Sequence, residues 1–233
     1  MSLDNLTILT YTHSNAKDLH APYFGRLDKH FPHPKGLILC DFPVSHSTFG
    51  CHVYDDLQPF WQQITSGLDR VDTEYVLYMQ EDYILHGDWS RLRIKVSLDY
   101  FRRDEELGFF RLIWSGMDRR NFTYYLPYYA AIPRKSEYFY SSQATIWRTD
   151  VLKSMFMSAK PQRITDELVN SPVLRDMQVK GICHYEVGRK IGGHYEDPYF
   201  PYIATAKVKG QWNTAEYPTE LEELWQKYPA CRP

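Results

Sequence analysis

Within about its first forty residues the chain reads strand, helix, strand, and that order constrains the fold more than any other feature. Leu6-Thr7-Ile8-Leu9-Thr10-Tyr11 alternates β-branched and apolar residues in the manner of a strand. Leu19, Tyr23, Leu27 and Phe31 then recur at helical spacing, until Pro32 and Pro34 stop the pattern. Gly36-Leu37-Ile38-Leu39-Cys40-Asp41 reads as the next strand. A helical crossover between two strands is the signature of a parallel sheet, since antiparallel neighbours need only a short turn. Open sheets of this kind bind ligands beyond the carboxyl ends of their strands. The polar stretch from Thr10 and Tyr11 through His13 to Asn15 is therefore expected to contact a nucleotide, with the following helix N-terminus favouring an anion. The plainer alternative is a helix entry that Ser14 or Asn15 merely caps.

A second stretch supplies candidate chemistry. Tyr75-Val76-Leu77-Tyr78-Met79-Gln80 suits a buried strand, and Glu81 and Asp82 follow together before apolar character resumes. Adjacent carboxylates at a strand end suit a hard divalent cation, which takes oxygen ligands and offsets their repulsion. A solvated loop, or pairing with basic groups, would explain them equally well.

The rest of the chain continues the alternation. Leu57, Phe60, Trp61, Ile64 and Leu68 mark one helix, and Leu92, Val96, Tyr100 and Phe101 another. Residues 108–114 form a strand candidate, and the tyrosine-rich stretch 115–136 reads as a long loop or β-excursion over the site. Residues 41–55 read as irregular, with His46 and His52 matching no metal-ligand spacing. Residues 138–147 pass from strand-like to small and polar, and a helix opens at residues 148–150. A further helix over 165–179 must kink or divide at Pro172. Residues 182–187 are a short apolar segment holding Glu186, and 221–225 begin a tail helix that packs back.

Composition excludes several classes. Lys and Arg number 27 against 29 Asp and Glu, with no basic block, which disfavours nucleic-acid binding. The four cysteines lie far apart and form no CxxC pair, so reduced thiols are expected. Neither a GxGxxG nor a GxxxxGK loop is present, which argues against dinucleotide enzymes and P-loop NTPases. No secretory h-region or bilayer-length apolar run occurs, so a cytoplasmic location is expected.

The order of these features resembles bacterial and viral glycosyltransferases of the GT-A fold. The resemblance runs over roughly residues 6–190 and rests on the strand ending in Gln80-Glu81-Asp82, the segment Ser142-Gln143-Ala144-Thr145-Ile146-Trp147-Arg148, and the late Tyr185-Glu186. It implies an α/β fold: a single Rossmann-like GT-A domain over residues 1–233, with a mostly parallel central sheet flanked by helices on both faces. Residues 1–85 would form the nucleotide-sugar half, 86–200 the acceptor side, and 201–233 the tail. The implied reaction transfers a sugar from a nucleotide-diphosphate sugar to a glycan or glycolipid hydroxyl, inverting and assisted by Mn2+ or Mg2+. The family's acidic motif is commonly Asp-X-Asp, whereas this chain offers Gln80-Glu81-Asp82.

Residue by residue, the expected metal ligands are Asp82, Glu81 and His194. The expected donor contacts are Thr10, Tyr11, His13, Asn15, Arg26 and Glu81, with Arg111 as a weaker one. Gln143 and Trp147 would line the acceptor side, the indole offering a stacking face. Glu186, in an apolar and aromatic segment, would be the base, with Asp166 and Asp176 as weaker alternatives. An acceptor carried on lipid would draw the protein to a membrane without any anchor in the chain. The competing readings are a metal-dependent nucleotidyltransferase or phosphohydrolase, and a non-catalytic carbohydrate-binding protein on the same fold.

Overall fold

A computed structural model describes residues 3–33, 35–114, 123–126, 128–185 and 188–233. The strand–helix–strand reading of the N-terminus holds, as β1 (Leu6–Tyr11), α1 (Lys17–His30) and β2 (Gly36–Cys40). In chain order there follow β3 (Phe49–Val53), α2 (Phe60–Leu68), β4 (Tyr75–Gln80), β5 (Ile84–Leu85), α3 (Arg91–Arg103) and β6 (Leu107–Arg111). Next come β7 (Thr123–Leu126), β8 (Tyr129–Ala131), β9 (Thr145–Arg148), α4 (Thr149–Ala159), α5 (Asn170–Asp176) and β10 (Lys180–His184). The last stretch holds the short strands β11 (Lys190–Ile191), β12 (His194–Tyr195), β13 (Tyr202–Ile203), β14 (Lys207–Val208) and β15 (Gln211–Trp212), then α6 (Pro218–Lys227).

Nine strands form one sheet in the order β3-β2-β1-β4-β9-β6-β10-β8-β7. Only β8 and β9 run against the rest, so the sheet is mostly parallel. Strand alternation explains why it must be covered on both sides. Tyr75, Leu77 and Met79 of β4 enter one core with Leu19, Tyr23 and Leu27 of α1, Ile94 and Leu98 of α3, and Leu221 of α6. Val76 and Tyr78 enter the other, with Ile64 of α2, Leu152 and Phe156 of α4, and Leu174 of α5. The chain is therefore a Rossmann-like α/β domain whose carboxyl strand ends share one edge.

Three expectations need correction. Leu57 is 94% exposed and outside the helix, because Pro59 sets the boundary and α2 begins at Phe60. Residues 41–55 contain the edge strand β3, whose burial is confined largely to Phe49, so no apolar alternation announced it. The helix expected over 165–179 is a short 3-10 turn, Glu167–Val169, followed by α5, with Pro172 accepted in the first turn where its missing N–H costs little.

The tail does more than pack back. β13 pairs antiparallel with β5, immediately after the two carboxylates. The Ala206 N–H donates to the Asp82 carbonyl at 3.2 Å, and Gln143 Nε2 donates to the Ala204 carbonyl at 3.2 Å. Residues 202–207 are thereby strapped across the end of β4. A hairpin of β14 and β15 follows, its turn formed by Lys209 and Gly210 at φ 51° and 79°. Paired positive φ values match the right-handed strand twist, and glycine takes the second at no steric cost.

Candidate active site

β4 ends where its neighbour β1 ends, with Gln80 opposite Tyr11. The next residues, Glu81 and Asp82, leave the sheet half-buried, and Asp82 lines a cleft of about 770 Å³ beside the strand end. Gln80, Asp82 and Tyr83 line it from β4, Ser141, Ser142 and Gln143 from the approach to β9, and Gly193 and His194 from β12. Thr205 and Lys207 close the wall, and Tyr138, Ile164 and Thr165 form the lip.

The carboxylates are electrostatically loaded. Burial, and then the neighbouring Asp82, push the Glu81 carboxyl well above the ordinary carboxylate range. Burial does the same to Asp82. Asp82 Oδ1 is enclosed without a hydrogen-bond partner. An orphaned carboxylate oxygen beside a second carboxylate is a donor set that favours a hard cation over the bare protein. His194 completes the polar lining: burial drives its pKa down to about 4, so the imidazole is neutral near pH 7 and free to act as ligand or acceptor.

Not every expected residue faces the cleft. Thr10 is fully buried and its hydroxyl meets Tyr23 Oη at 2.9 Å, so it lies in the core beneath the site. The Tyr11 hydroxyl donates to Gln63 Oε1 at 2.7 Å, and its ring stacks on Tyr54 with centroids 5.4 Å apart. Arg26 is buried along α1 with Nη1 3.4 Å from His30 Nε2, so it is a packing residue rather than a cleft residue. Arg111 is fully enclosed and donates to the Tyr138 and Phe139 carbonyls at 3.0 Å each, tying down the turn segment between β8 and β9 that carries Tyr138. Gln143 does line the cleft, yet its amide bonds both Ala204 and Tyr202 and so fixes the wall.

Trp147 corrects the expectation of an acceptor platform. Its ring is 1% exposed, stacked on Phe109 at 4.7 Å in the core shared with Tyr140. An indole at a strand position alternating toward the helices has no face left for a sugar. Trp147→Phe is expected to cost no more than about 2 kcal/mol, because lost volume is offset by removing an Nε1–H that has no partner. Denaturant midpoints would register that loss while nucleotide affinity stays unchanged; a loss of affinity without loss of stability would restore the platform role.

His13 joins a cluster that the sequence scattered over three segments. Its Nε2 lies 2.9 Å from Asp56 Oδ1 and 3.7 Å from Asp41 Oδ2, a set close enough to hold an ion. Nδ1, however, accepts the Asn15 backbone N–H at 3.0 Å. The ring proton of the neutral imidazole therefore sits on Nε2 and is donated to Asp56, so the cluster is a hydrogen-bonded unit. Burial works against the Asp41 carboxylate, but bonds from the Ser14 hydroxyl and N–H more than offset it and hold its pKa below the usual value. Asn15 is exposed in the 3-10 turn Ser14–Ala16 that precedes α1.

Glu186 lies outside the described residues. Of its alternatives, Asp166 accepts the Gln162 and Arg163 N–H groups and closes a turn, and Asp176 is exposed at the end of α5; neither lines the cleft. Sequence reasoning missed Lys207 and Thr205, which no periodicity marks, and Asp41 and Asp56, which become neighbours of His13 only once the sheet forms.

No family model and no curated protein matches the chain in sequence. Solved structures do match in fold. Staphylococcus aureus TarS residues 1–349 in complex with UDP-GlcNAc superposes with a TM-score of 0.56 at 11% identity, over 97% of this chain and 66% of that one. The same TarS fragment with UDP gives 0.52 at 11% identity, over 82% and 59%. A CMP-2-keto-3-deoxy-manno-octonic acid synthetase complexed with CTP gives 0.51 at 13% identity, over 96% and 98%. The chain thus spans about three fifths to two thirds of the length of the TarS fragment. With the acidic strand end, the cleft beside it and these superpositions together, the chain has the GT-A-like fold of nucleotide-diphospho-sugar transferases.

Proposed function

We propose that the protein transfers a sugar from a nucleotide-diphosphate sugar to a hydroxyl of a glycan or glycolipid, with inversion. One observation carries this reading: the Glu81–Asp82 pair at the end of the central strand, with Asp82 Oδ1 unpartnered at a cleft of small-ligand size. Asp82 and Glu81, with His194 across the cleft, are the residues that would hold a divalent cation. Such an ion, Mn2+ or Mg2+, supplies positive charge for the departing diphosphate. Glu186 is the proposed base, taking the acceptor proton as the hydroxyl attacks the anomeric carbon. His13, with Asp41 and Asp56, offers hydrogen-bonding groups at the end of β1 for the nucleoside. Gln143 serves the acceptor side by holding the 202–207 wall through its amide bonds to Ala204 and Tyr202.

A second reading, nucleotidyl transfer, is favoured by the superposition on the CTP-bound synthetase over nearly the whole of both chains. Against it, the loop after β1 contains no Lys, Arg or Gly before Lys17, whereas an attacked triphosphate needs cationic or amide-rich cradling there. Among the described residues no helix is long and apolar enough to cross a membrane, so a lipid-borne acceptor would be met at a surface.

The test is a thermal-shift screen of UDP, GDP, CDP, dTDP and CTP, each with and without Mn2+. One nucleoside diphosphate should raise the melting temperature only with metal, by about 4–8 °C at saturating ligand. A shift confined to CTP would move the assignment to nucleotidyl transfer, and no shift at all would leave neither.

A further inference from the structure

A cleft that binds a diphosphate against two carboxylates must supply positive charge of its own. Among the described lining residues, Lys207 is the one Lys or Arg. It stands on β14, directly after the Ala206 N–H that bonds the Asp82 carbonyl, so the same strap that closes the wall aims the lysine. Its ammonium is paired with Asp18 in the first turn of α1 and lies 5.1 Å from the Trp212 ring centroid. The residue also lines a smaller neighbouring cavity with Trp212, so its side chain stands at the boundary of two open spaces.

Resting on the reading above, we propose that Lys207 is the phosphate-binding cation of this cleft, held by Asp18 in the free protein and transferred to the nucleotide's phosphate on binding. Three features argue for exchange rather than a fixed ion pair. Asp18 is 41% exposed, and ion pairs with exposed partners are weak, so releasing it costs little. The four-carbon lysine stem pivots where a guanidinium fork would be fixed. Lys207 and Asp82 also line the same cleft, and the Ala206 N–H beside the lysine bonds the Asp82 carbonyl, which puts the charge within reach of the acidic floor. Binding exchanges one anion for another and leaves no charge unpaired, since Asp18 returns to water. Trp212 keeps the stem aligned in both positions.

The experiment compares the affinity of a nucleoside with that of its diphosphate, by calorimetry, for the nucleotide selected in the thermal screen. In the wild type the diphosphate should bind far more tightly than the nucleoside. Lys207→Ala should lower diphosphate affinity roughly 10- to 100-fold and leave nucleoside affinity unchanged, which also certifies the fold. Asp18→Asn, which frees the ammonium, should raise diphosphate affinity a few-fold, and both effects should shrink as salt rises. An unchanged diphosphate-to-nucleoside ratio in Lys207→Ala, or weaker diphosphate binding in Asp18→Asn, overturns the inference and leaves the transferase reading standing. If the wild type binds no nucleotide, the reading and the inference fall together.

Discussion

Asp82→Asn is expected to raise the melting temperature of the metal-free protein at pH 8 by about 4–8 °C and to lower sugar transfer at least about 100-fold. The two effects have one origin. Burial pushes both folded-state pKa values above those of the unfolded chain, and at Glu81 the neighbouring Asp82 adds to it. The folded form therefore binds more protons than the unfolded form between about pH 4 and about pH 8, and stability falls as pH rises through that window. An amide at position 82 does not ionise, so the variant escapes the penalty, by on the order of 2 kcal/mol at the upper end. It also loses the charge that a divalent cation would neutralise. Melting curves from pH 4 to pH 8 should converge at the acid end, and Mn2+ should stabilise the wild type alone. A variant that melts below the wild type at pH 8, or keeps the Mn2+ shift, would show that Asp82 is an ordinary structural carboxylate.

Glu186→Gln should reduce kcat by about 10²- to 10⁴-fold with the donor's KM changed little. A general base contributes through proton transfer in the transition state, not through ground-state donor binding, so the loss belongs in kcat. Donor binding seen by thermal shift should survive intact, which separates this variant from Asp82→Asn. β10 ends at His184 on the same edge as β4, and Tyr185 is anchored there by its N–H to the Tyr128 carbonyl at 2.7 Å. With Asp166 engaged in a turn and Asp176 exposed, neither alternative base lines the cleft. A Glu186→Gln enzyme retaining more than about a tenth of wild-type kcat would remove the glutamate from that role.

What was legible in the sequence followed from local periodicity. β1, α1, β2 and β4 declare themselves because their burial is continuous or largely facial, and the carboxylates after β4 stand out against an apolar run; α3 forms as a helix, but Leu92, expected on its buried face, is 70% exposed, and the face turned inward carries Ile94, Leu98 and Phe101. Longer-range facts were not legible. β3 is an edge strand with one strongly buried residue, so it lacks a pattern. In sequence Trp147 suits a sugar platform as well as a core, because an indole fits either, and only its register opposite Phe109 and Val76 decides for the core. Arg26 and Arg111 looked like phosphate ligands for the same reason: charge is visible in a sequence, and direction is not. His13, Asp41 and Asp56 meet only because three parallel segments end at one edge.

The strap formed by residues 202–207 has a consequence for biosynthesis. The acidic end of β4 is complete by residue 82, but the strap that closes over it comes about 120 residues later. While the chain is still emerging, the acidic pair faces solvent without the pairing that β13 brings to β5. The strap can close only on the sheet that supports it, and a contact of such sequence separation must meet its loop-closure entropy before the pairing rewards it.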